Sequence, residues 1–331
     1  MNLRKSIVIT GATGFVGRAL VEKLQADSDY KLTLLVRKKV DFLLSGVEQI
    51  SVSSERPFQG PLSISKGATI IHLAGRAHIL DDKSEDPLHE FRLVNVEATI
   101  DLARQAMEAG AKRFIFVSSI GVNGSVTYSD PFNEDATPQP QADYAVSKLE
   151  AECALRALVE KSSMDLVIVR PPLVYAAHAP GNYQRLMRLV STGLPLPFGA
   201  TRNLRSLISL ENLVDFICLC IEHSAAANEL FLVSDIRPVS TSEIVISLAQ
   251  GMGIKPRLFS VPDFVLRTGA RIFRKQSIYS QLCGSLVIDS SKARNLLGWN
   301  PPISVIDALR QSGRQYIMQK SQIFKHGRVL K

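Results

Sequence analysis

Short apolar runs alternate with amphipathic stretches through the first half of the chain. "SIVITG", "KLTLLVR", "ATIIHLAG", "RFIFVSS" and "DLVIVRPPLVY" are rich in β-branched residues, the pattern of strands buried on both faces. Between them, "FVGRALVEKLQADS", "NVEATIDLARQAMEAG" and "DYAVSKLEAECALRALVEKS" repeat apolar positions at helical spacing. Strand and helix in turn predict an α/β protein with a doubly wound parallel sheet and right-handed crossovers. Ligands of such sheets bind beyond the carboxyl ends of the strands. Gly11, Gly75, Ser119 and Pro171 all fall at strand ends, so they should line one crevice. Beyond Tyr175 the texture becomes richer in Gly, Pro and Arg. The expected division is therefore a first domain over 1–175 and a smaller C-terminal α/β domain over 176–331, with 210–235 returning to the first.

Composition narrows this only a little. A chain of 331 residues, 46% apolar, has room for about two domains with substantial cores. No apolar run reaches the ~20 residues that cross a bilayer. "MNLRKSIVIT" enters a strand at once, without the apolar core of a signal peptide. Cys153, Cys218, Cys220 and Cys283 lack zinc-ribbon spacing and read as reduced thiols of a cytoplasmic protein. The formal charge of +8 admits nucleic acid, an anionic surface or acidic small molecules. Basic residues are scattered and no RNA-recognition signature is present, so nucleic acid is not expected. The exception is "RLFSVPDFVLRTGARIFRKQS" (257–277), which mixes Phe, Leu and Ile with Arg and Lys. Two readings stand for it: peripheral association with a membrane surface, or a helix packed on its own domain with its cations solvated.

The first strand runs into "GATGFVG". Gly11 permits a tight exit from the strand, Gly14 lets backbone approach a pyrophosphate, and Gly17 lets helix and sheet close together. The helix N-terminus then offers N–H groups to phosphate. Dinucleotide sites specific for NAD usually carry an acid at the end of the second strand. Here Val36 holds that place and Arg37, Lys38 and Lys39 follow. Guanidinium and ammonium groups would pair with a 2′-phosphate, so NADP(H) is preferred, with NAD(H) possible.

"DYAVSKLEAE" supplies Tyr144 and Lys148, one turn apart on a helix face. A phenol titrates near 10, and an ammonium nearby would favour phenolate and lower that value. Upstream, "FIFVSSIGVNG" ends a strand with Ser118 and Ser119, either of which could cap a turn or hydrogen-bond a substrate oxygen as its charge changes.

In this order the glycine turn, strand-end serines and Tyr/Lys helix resemble the extended short-chain dehydrogenases/reductases of the nucleotide-sugar epimerase and reductase family. "TGATGFVG", "IIHLAG", Val94–Asn95, "FVSSIGVNG", "YAVSK" and "RPPLVY" carry the resemblance. It implies a Rossmann-like fold, a homodimer packed through helices that include the Tyr/Lys one, and a site built as follows. Ser119, Tyr144 and Lys148 do the chemistry. Gly11, Thr13, Gly14, Phe15, Val16 and Gly17 cradle the dinucleotide, Ala74 and Gly75 wall its middle, and Pro171 lies near the nicotinamide. Asn95 anchors a hydrogen-bond network behind the site. Toward a UDP-sugar substrate, Asn182 and Arg205 match positions that hold the diphosphate, and Phe198 one that stacks on the base. Some positions depart from the family pattern: Asn123 stands where a tyrosine is usual, Ala176 where a glycine is, and Tyr279 near an expected arginine.

One constellation serves two chemistries. A 4-epimerase oxidises and re-reduces the same sugar carbon with retained NAD, whereas a 4-ketoreductase consumes NADPH once. The Arg37–Lys38 reading favours a reductase. "VSSIGVNG", "YAVSKLEAE" and "GLPLPFG" resemble a subgroup that reduces UDP-4-keto-6-deoxy-N-acetylhexosamines for bacterial surface polysaccharide (O-antigen). The alternatives are a UDP-glucose or UDP-N-acetylglucosamine 4-epimerase, and a non-catalytic dinucleotide-sensing module. His72 reads as a core or supporting residue. His78 and Arg76 lie where either surface placement or approach to a sugar is possible. No metal site is expected.

Overall fold

A computed structural model describes residues 4–40, 47–77, 84 and 86–326. His78 lies outside the described residues. Among the described residues nine strands occur in chain order: β1 (Lys5–Thr10), β2 (Tyr30–Val36), β3 (Glu48–Ser51), β4 (Thr69–His72), β5 (Arg113–Val117), β6 (Asp165–Arg170), β7 (Leu173–Tyr175), β8 (Leu207–Ser209) and β9 (Leu230–Leu232). Seven of them form one sheet in the order β3-β2-β1-β4-β5-β6-β9, and every pairing is parallel. All carboxyl ends therefore point to one edge, and the chain reverses its winding between β1 and β4. This is a Rossmann-like α/β fold. β7 and β8 pair separately, also in parallel.

The helices are α1 (Phe15–Gln25), α2 (Pro87–Arg92), α3 (Ala98–Glu108), α4 (Asp143–Val159), α5 (Asn182–Val190), α6 (Leu210–Glu222), α7 (Thr241–Gly251), α8 (Asp263–Ile272), α9 (Gln276–Cys283), α10 (Ser291–Leu297) and α11 (Val305–His326). Alternation along β1 sends Ile7 and Ile9 into one core and Val8 into another. On the first face Leu20 and Val21 of α1 meet Leu213, Phe216 and Ile217 of α6. On the second, Leu102 and Ala106 of α3 meet Ala151 and Leu155 of α4. A third core gathers Tyr183 and Met187 of α5, Leu248 of α7 and Leu309 of α11. Burial on both sides explains why the strands read as continuous apolar runs.

Arg113 at the start of β5 is almost wholly buried, which its charge alone would forbid. Its guanidinium donates to the carbonyls of Cys220 and His223 at 2.7 and 3.0 Å, closing the C-terminus of α6, and pairs with Asp165 at 3.0 Å. The free thiols of Cys218 and Cys220, on the same helix, are both raised by burial.

Candidate active site

The sheet's carboxyl edge gathers the glycine turn after β1, Ala74–Gly75 after β4, Ser118–Ser119 after β5 and Pro171 after β6. Gly11 has φ +69°, and a Cβ there would lie 2.7 Å from the Ala74 backbone nitrogen. A Cβ on Gly17 would lie 2.1 Å from the Gly11 carbonyl oxygen, so the start of α1 presses directly on the turn. Gly14 is the N-cap of α1 and has no side chain to cover the helix end. Thr13 and Gly14 are exposed, Phe15 and Val16 half-buried. The Phe15 ring meets His178 edge-on, 5.1 Å between centroids. At the end of β2, Val36 is buried and Arg37 and Lys38 are exposed beside this turn.

A chain of buried hydrogen bonds runs from the turn to the next element. The Ala74 N–H donates to Thr10 Oγ1 (3.1 Å), Thr10 Oγ1 meets His72 Nδ1 (2.7 Å), His72 Nε2 meets Thr99 Oγ1 (2.9 Å), and Thr99 donates to the Asn95 carbonyl (2.8 Å). With Thr99 donating onward, the network assigns the hydrogen to Nε2 of His72 and leaves Nδ1 an acceptor. Burial first, then the nearby Lys148 charge, lowers the His72 pKa to about 3, so the ring is neutral at ordinary pH. His72 supports the site and does not titrate in it.

Asn95 sits in a π-helical turn, Leu93–Glu97, between α2 and α3. Such a turn lets one residue step out of register, often at functional sites. Asn95 accepts from the Arg76 N–H (2.8 Å) and donates to Ser147 Oγ (2.9 Å), which in turn donates to the Tyr144 carbonyl (2.8 Å). A Cβ on Gly75 would lie 3.1 Å from Asn95 Oδ1 and 3.4 Å from Lys148 Nζ. The loop after β4 is thereby laid against α4 at the level of Lys148.

The start of α4 carries Tyr144 and Lys148. Lys148 is 3% exposed; its ammonium donates to the Val117 carbonyl at 3.0 Å and lies 4.5 Å above the Phe116 ring. Burial lowers its pKa to about 8, opposed by the Glu152 charge. The Tyr144 ring is half-buried and packs edge-on to Phe91, 6.2 Å between centroids. Its pKa is pushed up to about 12 by burial. This reverses the direction that the spacing alone suggests. Desolvation of the phenol is the cause, and the ammonium one turn away is drawn to a strand-end carbonyl instead.

The two serines diverge. The Ser118 hydroxyl turns inward and donates to Glu152 Oε1 at 2.5 Å, while Ser119 is half-exposed and its Oγ accepts the Gly121 N–H at 3.1 Å. Ser119 Oγ and the Ala145 Cβ both lie 3.3 Å from where a Cβ on Gly121 would stand, so Ser119 faces the first turn of α4. The Ile120 N–H donates to the Pro171 carbonyl at 2.9 Å, tying the ends of β5 and β6 together.

Sequence reasoning missed the pair behind these serines. Glu152, 2% exposed, receives Arg170 Nε at 2.9 Å and Nη2 at 2.5 Å, and Arg170 Nη1 donates to Asn123 Oδ1 at 2.9 Å. The available signal was Glu152 standing one turn beyond Lys148 on the same helix face.

The three residues expected at a diphosphate and base are placed in the third core and at α9. Asn182, exposed at the start of α5, donates to Gln281 of α9. Arg205 donates to the Gly284 carbonyl at 2.9 Å and to that of Ser280 at 3.4 Å, capping the C-terminus of α9. Burial lowers its pKa. Phe198 is 7% exposed and packed in the third core.

The NAD dependent epimerase/dehydratase family model matches residues 7–234. The chain belongs to this family. It is 43% identical to a UDP-glucose 4-epimerase of Vibrio cholerae, over 96% of this chain and 97% of the relative. A ceramide reductase of Caulobacter vibrioides is 31% identical over 90% of this chain and 86% of its own length. Among solved structures, the UDP-glucose 4-epimerase of Thermotoga maritima with UDP-glucose aligns with a TM-score of 0.72 at 20% identity, covering 95% of this chain and 99% of that one, a likeness of fold. As a member of the epimerase/dehydratase family the chain is an NAD(P)-dependent enzyme, and its residues fit a nicotinamide dinucleotide. α1 begins on a glycine with no side-chain cap, which leaves its first turn open to a pyrophosphate. Among the described residues, no helix is long and apolar enough to cross a membrane, and no cluster of His, Cys, Asp and Glu could hold a metal.

Proposed function

We propose that the protein reduces the C4 ketone of a UDP-4-keto-6-deoxy-N-acetylhexosamine with NADP(H), in the synthesis of a surface polysaccharide. One observation carries the oxidoreductase site: Ser119 and the start of α4 meet at the same sheet edge as the uncapped glycine turn. A bound nicotinamide dinucleotide would supply the hydride. The chain's own groups would do the rest. Ser119 Oγ hydrogen-bonds the sugar C4 oxygen. The Tyr144 hydroxyl, held protonated by burial, gives its proton to that oxygen as charge develops on it. Lys148 stabilises the phenolate left behind and reaches the nicotinamide ribose. Asn95, through Ser147, fixes the α4 turn that carries Tyr144. Gly11, Thr13, Gly14, Phe15, Val16 and Gly17 cradle the pyrophosphate, with Ala74, Gly75 and Pro171 walling the cleft. Asn182 and Arg205 hold the UDP diphosphate, which requires Arg205 to exchange carbonyl partners for phosphate oxygens. Phe198 would wall the base from within the small core. A homodimer packed through the outward face of α4 belongs to the same reading.

The preference for reduction rests on Arg37 and Lys38, both exposed at the end of β2, with no acid at buried Val36 to repel a 2′-phosphate. A second reading, 4-epimerisation with retained NAD, is favoured by the 43% identity to the Vibrio cholerae relative. Cofactor stoichiometry separates them. Reduction requires one NADPH consumed per UDP-4-ketosugar and little dinucleotide retained on purification. Tightly held NAD, with interconversion of UDP-sugars and no net NADPH use, would replace the first reading by the second. Binding of dinucleotide with no turnover of either substrate class would overturn both in favour of a sensing module.

A further inference from the structure

The segment from 255 to 283 stands outside the chemistry described so far. α8 has no buried residue along its ten positions. Val265, Leu266, Gly269, Ile272 and Phe273 recur at three-, four- and seven-residue spacing and share one face, whereas Asp263, Arg267 and Arg271 recur at four and share the other. The apolar face is open: Ile272 is 71% exposed, Phe273 75% and Val265 44%, with Phe264 at 69% on the border. Phe259 before the helix and Ile278 after it are also exposed, at 49% and 42%. Single exposed apolar side chains are ordinary, but a continuous group of them on one amphipathic helix marks an interaction surface.

We propose that α8 and its flanks dock this protein on an anionic lipid bilayer. Charge selects the occupant. Arg267 and Arg271 line the face opposite the apolar one, Lys255, Arg257, Arg274 and Lys275 flank the helix in sequence, and Asp263 is the one carboxylate among residues 255–275. That carboxylate is engaged, accepting the Tyr279 hydroxyl at 2.7 Å. A helix lying in the plane of a membrane needs this arrangement: apolar side chains sunk among acyl chains and flanking cations at the headgroups. Arg and Lys can keep their charges at headgroup level while their stems lie along apolar surface. α8 is joined through α9 to two of the residues assigned above to the diphosphate. Tyr279 ties α8 to α9, and α9 meets Asn182 and Arg205 through Gln281, Ser280 and Gly284. The proposal does not depend on which sugar or cofactor the site takes.

The test is co-sedimentation of the full-length protein with phosphatidylcholine vesicles, with and without phosphatidylglycerol. Phosphatidylglycerol should raise the bound fraction at least about tenfold at low salt, and added salt should weaken the binding. The paired variant Ile272→Asp/Phe273→Asp should lose binding while keeping its thermal transition and its dinucleotide affinity, since both side chains are exposed. Should that variant fail to fold, Arg267→Glu/Arg271→Glu provides the reading, and it should bind both vesicle types alike. Equal wild-type binding to neutral and anionic vesicles, or none to either, overturns the proposal. So does light scattering in which the aspartate pair dissolves a dimer and leaves vesicle binding intact.

Discussion

Glu152 and Arg170 form the most consequential buried contact behind the site, and breaking it has a calculable cost. The side chains are 2% and 4% exposed, and the carboxylate oxygens between them take two guanidinium N–H groups and the Ser118 hydroxyl. Glu152→Gln keeps the shape but leaves one acceptor oxygen, and it points an NH2 at a donor of Arg170. Removing one partner of a buried ion pair costs about 3–5 kcal/mol, because the other charge remains desolvated. With a urea slope of about 3 kcal/mol per M, the unfolding midpoint should fall by roughly 1 M or more. Arg170→Met should cost a similar amount, since it strands the carboxylate. The double variant should cost less than the sum of the two by at least about 2 kcal/mol, because the second change removes the group that the first left unpaired. The assay is urea unfolding followed by circular dichroism, with dinucleotide absent so that ligand does not mask the loss. Single costs below about 1 kcal/mol, or strict additivity in the double variant, would refute the reasoning. Turnover supplies a second readout. Ser118 precedes Ser119 and Lys148 lies one turn before Glu152, so the folded fraction of Glu152→Gln should turn over more slowly than wild type.

Three further outcomes follow from the geometry. Lys148 has its pKa lowered to about 8 by burial, below that of the unfolded chain, so between about pH 8 and 10 the unfolded state binds more protons and stability rises with pH; turnover should fall over the same window, and Lys148→Met should abolish that part of the stability slope in pH-dependent melts. Gly17→Ala places a Cβ 2.1 Å from the Gly11 carbonyl and should cost about 1–3 kcal/mol in chemical denaturation together with dinucleotide affinity measured by fluorescence, whereas a variant that melts and binds as wild type would contradict the close packing of α1 on the turn. Arg37→Ser with Lys38→Ser should weaken NADPH binding by about tenfold or more in calorimetry and leave NADH unchanged, and equal losses for both cofactors would remove the argument for the phosphate.

The parallel sheet was readable because its strands other than the edge strand β3 are buried on both faces and so lose the alternation that would mark a half-exposed strand. The glycine turn was readable for a related reason. Gly11 and Gly17 stand where a Cβ would collide with backbone, and the spacing of the three glycines is itself the constraint. What the chain concealed were contacts between residues far apart in sequence. Arg170 closes "DLVIVR" as an unremarkable last residue of a strand, and only the pairing of β5 with β6 brings it beneath the serines and against Glu152. The raised Tyr144 pKa was hidden for another reason. Four-residue spacing fixes which helix face two side chains share but not how much water reaches them, and here desolvation decides the sign. The 257–277 segment left two readings open because amphipathic periodicity is the same whether the partner is a protein core or a lipid surface. The exposure of Ile272 and Phe273 excludes burial in the chain's own core.

The hydrogen-bond chains at the sheet edge suggest why α4 carries so many polar residues on a face turned to the core. Ser147, Lys148 and Glu152 are all buried, and each bonds a different neighbour: Asn95 in the π-turn, the Val117 carbonyl at the end of β5, and Arg170 at the end of β6. A helix held only by Ala151 and Leu155 could rotate or slide slightly at small cost, since apolar contacts are not directional. Three directional contacts over two adjacent turns remove that freedom. They fix the phase of the helix, and with it the position of the Tyr144 hydroxyl relative to Ser119 and the glycine turn. The price in desolvation is paid at Glu152 and Arg170, and what it secures is the geometry of the first turn of α4.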